Sequence, residues 1–118
     1  MKRPHVYWIS RAVICAVNLL ALGTLLLQPT NIAWWLLDVG GRTYLMFLGT
    51  VMAHEAVHGH LGRTKVVNFW WGRLALLPCM APFTNFRKTH HLHHAHPNDP
   101  DKDPDMFMKV RHPIEIPF

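Results

Sequence analysis

Hydrophobic positions along the chain fall into separate apolar stretches that give way to an almost wholly polar segment after Phe83. The first, Ala12 to Leu27, contains no charged residue, and its only strongly polar members are Asn18 and Thr24. Extended back to Trp8 it reaches about 20 residues, enough to cross a hydrocarbon layer at roughly 1.5 Å per residue. This predicts a transmembrane helix over about residues 9–27, closed by Pro29, with Tyr7 and Trp8 at the level of an interfacial belt. Ile32 to Leu37 is apolar but short, and Asp38, Gly40 and Gly41 follow it, so an outer-interface segment is expected there. If the helix instead continued through it, Asp38 and Arg42 would pair at i, i+4. A second span is predicted over about residues 43–60. It runs from Tyr44 through Val51 into His54, Glu55, His58 and His60. Polar groups at the end of a membrane helix are costly against lipid and should face protein or a metal. Phe69 to Phe83 is aromatic and apolar but interrupted by Arg73, Pro78 and Pro82, which predicts an interfacial or re-entrant element over about 68–83. A histidine-rich helical segment follows, then aspartates and prolines. The expected fold is an all-α integral membrane protein with two transmembrane helices, residues 1–118 forming one domain at most.

Composition sharpens this. Half of the 118 residues are hydrophobic and only 16% are charged, a balance that favours lipid as the partner of the apolar surface. A cleaved signal peptide is the rival for the first stretch, since Lys2 and Arg3 precede it. No small-x-small cleavage site follows Leu25, Leu26 and Leu27, so a retained helix is expected. The net charge of +5 is accounted for by topology, which removes nucleic acid as a partner. Lys2, Arg3 and Arg11 precede the first span; Arg63, Lys65, Arg73, Arg87 and Lys88 follow the second apolar stretch; the connection between holds only Asp38 and Arg42. By the positive-inside rule the N-terminus and every histidine cluster are cytoplasmic. Cys15 and Cys79 are too few for a disulfide framework and are expected to be buried free thiols.

Eight of the ten histidines lie between His54 and His96, in two clusters. The first reads His54-Glu-Ala-Val-His58-Gly-His60; on a helix, i, i+4 spacing puts His54 and His58 on one face, able to share or bracket a metal. The second reads His90-His91-Leu92-His93-His94-Ala95-His96, in which His90, His93 and His94 stand at i, i+3 and i+4. Imidazole alone does not select among iron, zinc, copper and nickel. His54-Glu55-x-x-His58 is formally the H-E-x-x-H zinc-protease motif with Glu55 as general base, but the usual third ligands are missing. Thr64 stands where a metzincin would have its histidine, and the only glutamate after Glu55 is Glu115. An aspartate drawn from Asp99 to Asp105 would complete that site yet leave the second cluster unexplained. A bland alternative is a polar, metal-buffering tract.

The strings H-E-A-V-H-G-H and R-K-T-H-H-L-H-H-A-H-P-N-D-P-D-K-D-P-D resemble the first and second histidine boxes of the membrane fatty acid desaturase family, which includes related carotenoid hydroxylases. The resemblance covers roughly Thr43 to Met108. It implies that His54, His58, His90, His93 and His94 are metal ligands of a di-iron centre using dioxygen. Glu55, His60, His91, His96, Asn98, Asp103 and Asp105 could surround those ligands; a polar surface or hydrogen-bonding role is the alternative for His60, His91 and His96, and helix capping and turn formation are equally open roles for the aspartates. The implied activity is desaturation of a fatty acyl chain, with beta-carotene hydroxylation as the alternative and a non-catalytic metal-binding membrane fragment as the contrasting reading. Implied partners are the lipid substrate, dioxygen and an electron donor such as a ferredoxin or a cytochrome b5-type protein. The family's third box should lie well beyond the second, and His112 alone is no box, so the 118 residues are expected to be the N-terminal part of a longer domain.

Overall fold

The structure, a computed structural model, describes residues 4–105, with side chains from Tyr7 onward. Lys2, Arg3, His112 and Glu115 lie outside the described residues. The described residues form four α-helices and one short 3-10 turn, with no strand among them: α1 Pro4–Thr24, α2 Ile32–Val57, α3 Lys65–Ala75, the turn Leu77–Cys79, and α4 Phe83–Ala95. The all-α expectation therefore holds. Packing divides the chain into two compact units between Thr84 and Asn85.

The first unit contains α1, α2 and α3. Pro4 opens α1, where its fixed φ and missing N–H cost nothing. The helix ends at Thr24 rather than at the predicted Leu27, because Leu25, Leu26 and Leu27 donate to the carbonyls of Leu22, Gly23 and Thr24 and tighten the chain into i→i−3 turns. The predicted separate segment at Ile32 to Leu37 and the predicted start of the second span near Thr43 are corrected: α2 is one helix of 26 residues from Ile32. Asn31 caps it, accepting the Trp34 N–H at 3.1 Å. Gly40 and Gly41 do not break it, and Asp38 and Arg42 pair within it at 2.8 Å. Arg42 also donates to the Thr24 carbonyl, satisfying the end of α1. Of the described helices, only α1, over Tyr7–Thr24, is both long and apolar enough to cross a membrane. The 11 residues of α3 are too few to cross, as expected for that segment.

Small residues decide how these helices meet. The buried face of α2 is Leu45, Gly49, Ala53 and Ala56, and that of α3 is Asn68, Gly72 and Ala75. A Cβ on Gly49 would strike the Ala75 carbonyl oxygen, and one on Gly72 would strike the Phe83 ring. Close backbone approach is thus a requirement of the packing. Ile14 and Val17 of α1 complete this core. Two polar residues on the same side of α1 are also engaged: Asn18 donates to the Leu74 carbonyl at 3.1 Å and Arg11 to the Leu61 carbonyl at 2.9 Å. Leu19, Leu20, Leu22, Leu26, Trp34 and Phe47 remain exposed, leaving broad apolar surface on α1 and α2. The cysteines are free, but neither is buried: Cys15 is exposed on the outward side of α1 and Cys79 is half-buried.

The second unit comprises α4 from Asn85 onward and the turns that follow. Phe86, Leu92 and Ala95 apart, this stretch of α4 is polar, and side-chain hydrogen bonds replace an apolar core in holding the segment behind it.

Candidate functional site

Box one sits at the C-terminal end of α2. His54 and His58 share a face as their spacing predicts, with ring centroids 4.6 Å apart. The helix ends there in a Schellman motif: the Gly59 N–H donates to the Ala56 carbonyl and the His60 N–H to the Glu55 carbonyl. Gly59 has φ +76°, a left-handed conformation that glycine alone adopts without strain. The motif normally brings an apolar side chain at its end back onto the helix. Here it brings His60 onto Glu55, whose Oε2 lies 2.6 Å from His60 Nδ1. The other carboxylate oxygen lies 3.5 Å from His54 Nδ1. Glu55 is therefore positioned as a brace between two imidazoles.

Box two occupies α4. His90 and His94, at i, i+4, bring their Nε2 atoms within 3.0 Å of each other, with centroids 4.5 Å apart. The Phe86 ring lies parallel to that of His90, one turn earlier. His93 points its Nδ1 at the Asp103 carboxylate, 2.9 and 3.1 Å from the two oxygens, and at Asp105, 3.4 Å away. Asp103 is buried, and its oxygens also accept the backbone N–H groups of Asn98 and Asp105 at 2.8 and 2.9 Å. Asn98 stands at φ +61°, turning the chain so that its N–H faces that carboxylate. The ligand atoms of His93, Asp103 and Asp105 all lie within 4.8 Å of one another.

These contacts have electrostatic consequences. The hydrogen bond to Asp103 raises the His93 imidazole above its ordinary value of 6.5. Burial pushes the Asp103 carboxyl up, but the N–H groups of Asp105 and Asn98 and the His93 imidazole outweigh it and leave Asp103 below its ordinary 3.8. A carboxylate on Nδ1 fixes the proton on that nitrogen and leaves Nε2 of His93 with the lone pair a metal requires.

The remaining expected neighbours separate cleanly. His91 is exposed on α4, and His96 serves through its backbone, donating to Leu92 and His93 and accepting from Asp99. Asp99 is a turn residue, accepting the N–H groups of Asp101 and Lys102. Asn68, which the sequence reading passed over, is one of two buried polar residues among those described. Its signal was available: an asparagine on the small-residue stripe of α3, four residues before Gly72 and four after the capping Thr64.

The donor set fits a first-row metal. With metal–nitrogen bonds of about 2.1 Å, two imidazoles at right angles around one ion place their nitrogens about 3 Å apart, the separation that His90 and His94 show. Histidine nitrogens with carboxylates behind them suit iron chemically, as they suit zinc, copper and nickel.

Comparison with known proteins decides the family. A profile described as Fatty acid desaturase matches residues 29–115, which include both boxes. The chain belongs to the fatty acid desaturase family. It is 34% identical over 53 residues to the sn-1 acyl-lipid omega-3 desaturase (ferredoxin) of Synechocystis sp., covering 45% of this chain and 15% of that protein. It is 32% identical over 69 residues to an omega-3 fatty acid desaturase of Caenorhabditis elegans, covering 58% and 16%. Against the dihydrorhizobitoxine desaturase of Bradyrhizobium elkanii it is 28% identical over 103 residues, covering 80% and 28%. The chain thus spans less than a third of the length of each of these curated relatives. No solved structure matches.

Proposed function

We propose that this desaturase-family chain contributes the first two histidine boxes of a membrane-bound, dioxygen-dependent acyl desaturase. The observation carrying this reading is that both boxes fall within the family match and present paired imidazoles at helical ligand spacing. His54, His58, His90, His93 and His94 would hold two irons together with further ligands from outside these two boxes. Iron bound there supplies the chemistry of dioxygen-dependent hydrogen removal from an unactivated carbon. The chain's own residues do the rest: Asp103 keeps the His93 proton on Nδ1 and its ring in one orientation, and Glu55 does the same for His54 through a longer contact.

The exposed apolar surface of α1 and α2 supports insertion in a membrane, with α1 and most of α2 as the two spans and α3 lying at the interface. The basic residues around the boxes support a cytoplasmic site, accessible to a soluble or membrane-bound electron donor. The substrate is proposed to be a fatty acyl chain, as the names of the cyanobacterial and nematode relatives suggest. The Bradyrhizobium relative, matched over the largest share of this chain among the three, is named for a different substrate, so the shared element is the desaturation chemistry.

The test is expression of the full-length protein in a host lacking desaturases, with analysis of membrane lipids by gas chromatography and mass spectrometry. New double bonds are expected under air and none without dioxygen. His93→Ala should abolish them, a loss of at least about a thousandfold, and lower the bound iron. Undiminished product from His93→Ala removes box two from the reaction; a hydroxylated carotenoid in place of an unsaturated acyl chain replaces the desaturase reading.

A further inference from the structure

The loop after box one is fixed far more tightly than its half-buried histidine would suggest. Asn68 Oδ1 accepts the Leu61 N–H at 2.8 Å, while its Nδ2 donates to the Gly62 and Thr64 carbonyls at 2.9 and 2.7 Å. One N–H on one side and two carbonyls on the other leave a single orientation for this amide. The Leu61 side chain is fully buried, and its carbonyl accepts Arg11 Nε of α1 at 2.9 Å. The Arg11 guanidinium rests 5.3 Å from the centre of the Trp71 ring. Leu61 is therefore held at its N–H from α3 and at its carbonyl from α1.

The N–H that Asn68 grips belongs to the peptide joining His60 to Leu61, and the N–H on the other side of His60 donates to the Glu55 carbonyl at 2.9 Å. His60 is thus pinned on both sides along the backbone. Left to itself, its contact with Glu55 joins two partly exposed side chains, 41% and 35%, and such pairs gain little because ordering both side chains offsets the attraction. With the backbone fixed beforehand, the main chain adds nothing to that cost, and only the side-chain torsions of His60 and Glu55 remain to be ordered.

We propose that Asn68 and Arg11 are positioning residues for box one. By clamping the Leu61 backbone they hold His60 against Glu55, and Glu55 in turn against Nδ1 of His54, so that the imidazole of His54 presents its other nitrogen. The competing account is purely structural: Asn68 donates to Thr64 at the start of α3, and α3 alone would then depend on it.

The test uses the chain purified in detergent, with histidine labelled by nitrogen-15. In the wild type the imidazole shifts of His60 should report a single tautomer with the proton on Nδ1. Asn68→Ala should return His60 to the averaged tautomers of a free imidazole and shift His54 as well, while circular dichroism shows helicity retained. A second arm, anaerobic titration with Fe(II), rests on the desaturase reading; there Asn68→Ala should weaken binding about tenfold, the usual scale for losing an outer contact to a ligand. His60→Gln should weaken it similarly, and the double variant should lose no more than either alone, since both cut the same connection. Unchanged His54 and His60 spectra in a folded Asn68→Ala, or losses that add in the double variant, overturn the proposal. If Asn68→Ala loses helicity, Arg11→Gln removes the guanidinium that donates to Leu61 and rests on Trp71 while leaving Asn68 in place, and the same spectra must move by a smaller amount. A wild type that binds no Fe(II) counts against the desaturase reading alone, because the tautomer measurement decides the clamp without metal.

Discussion

The two histidine boxes solve the same problem with different parts. Box one braces its imidazoles with a carboxylate from the same helix, Glu55, and with His60 from the turn that ends that helix. Box two borrows its carboxylate from ten residues further along the chain, where a loop folds Asp103 back onto His93. The first brace sits on an apolar three-helix packing, and its contact with His54 is long, 3.5 Å. The second has little apolar support, and its contact with His93 is close and doubly made. A ligand can be oriented by regular helix geometry or by a loop saturated with hydrogen bonds. Where the helix provides less, more carboxylate contacts are needed.

Four changes separate these designs, beginning with the largest expected effect. Asp103→Asn should weaken Fe(II) binding by about 10–100-fold in a metal titration, because an amide cannot accept from His93, Asn98 and Asp105 together. Glu55→Gln, at a longer contact, should cost less than Asp103→Asn in the same titration. The reverse ranking would mean that closeness of the carboxylate does not set ligand orientation here.

Gly59→Ala comes next. Forcing a side chain into the left-handed conformation should destabilise the first unit by about 1–2 kcal/mol, read as a lower unfolding midpoint. The His93 imidazole signal should stay unchanged, since its brace lies wholly in the second unit. A shift of that signal would show that the boxes are not independently braced.

The smallest effect is that of pH on the metal-free tail. His93 is raised above 6.5, so its contribution to stability is complete below 6.5 and fades as pH rises through the higher folded value. Asp103 is depressed below 3.8, so its contribution is complete above 3.8 and fades as pH falls through the lower folded value. Protection of the Asn98 and Asp105 amides against hydrogen exchange should therefore be greatest near pH 5, after correction for the intrinsic rate, and decline on either side. In Asp103→Asn the His93 titration should fall back towards 6.5 and the decline above pH 5 should disappear.

Much of the site was legible in the order of residues. The i, i+4 spacing of His54 with His58 and of His90 with His94 is a helical period, and each pair meets as that period requires. The split of the aspartates into one brace and several turn residues was not legible. Asp99, Asp101, Asp103 and Asp105 alternate with similar neighbours, and only the folded loop shows which carboxylate is turned inward. The break expected at Asp38, Gly40 and Gly41 did not occur. Helix-breaking composition was outweighed by an ion pair within the helix and by Arg42 capping α1 across the hairpin. Arg11 reads in sequence as a topological charge, yet in the fold it holds the Leu61 carbonyl, a contact fifty residues distant.

The sequence by itself determined the family, the helical class and the paired histidines, because periodic spacing and a run of matched motifs are local properties of the chain. Tertiary structure alone decided which polar residues stand behind those histidines. Asn68, Arg11 and Asp103 gain their roles from partners brought near by helix packing and loop closure, and no local pattern encodes a hydrogen bond to a distant carbonyl or imidazole.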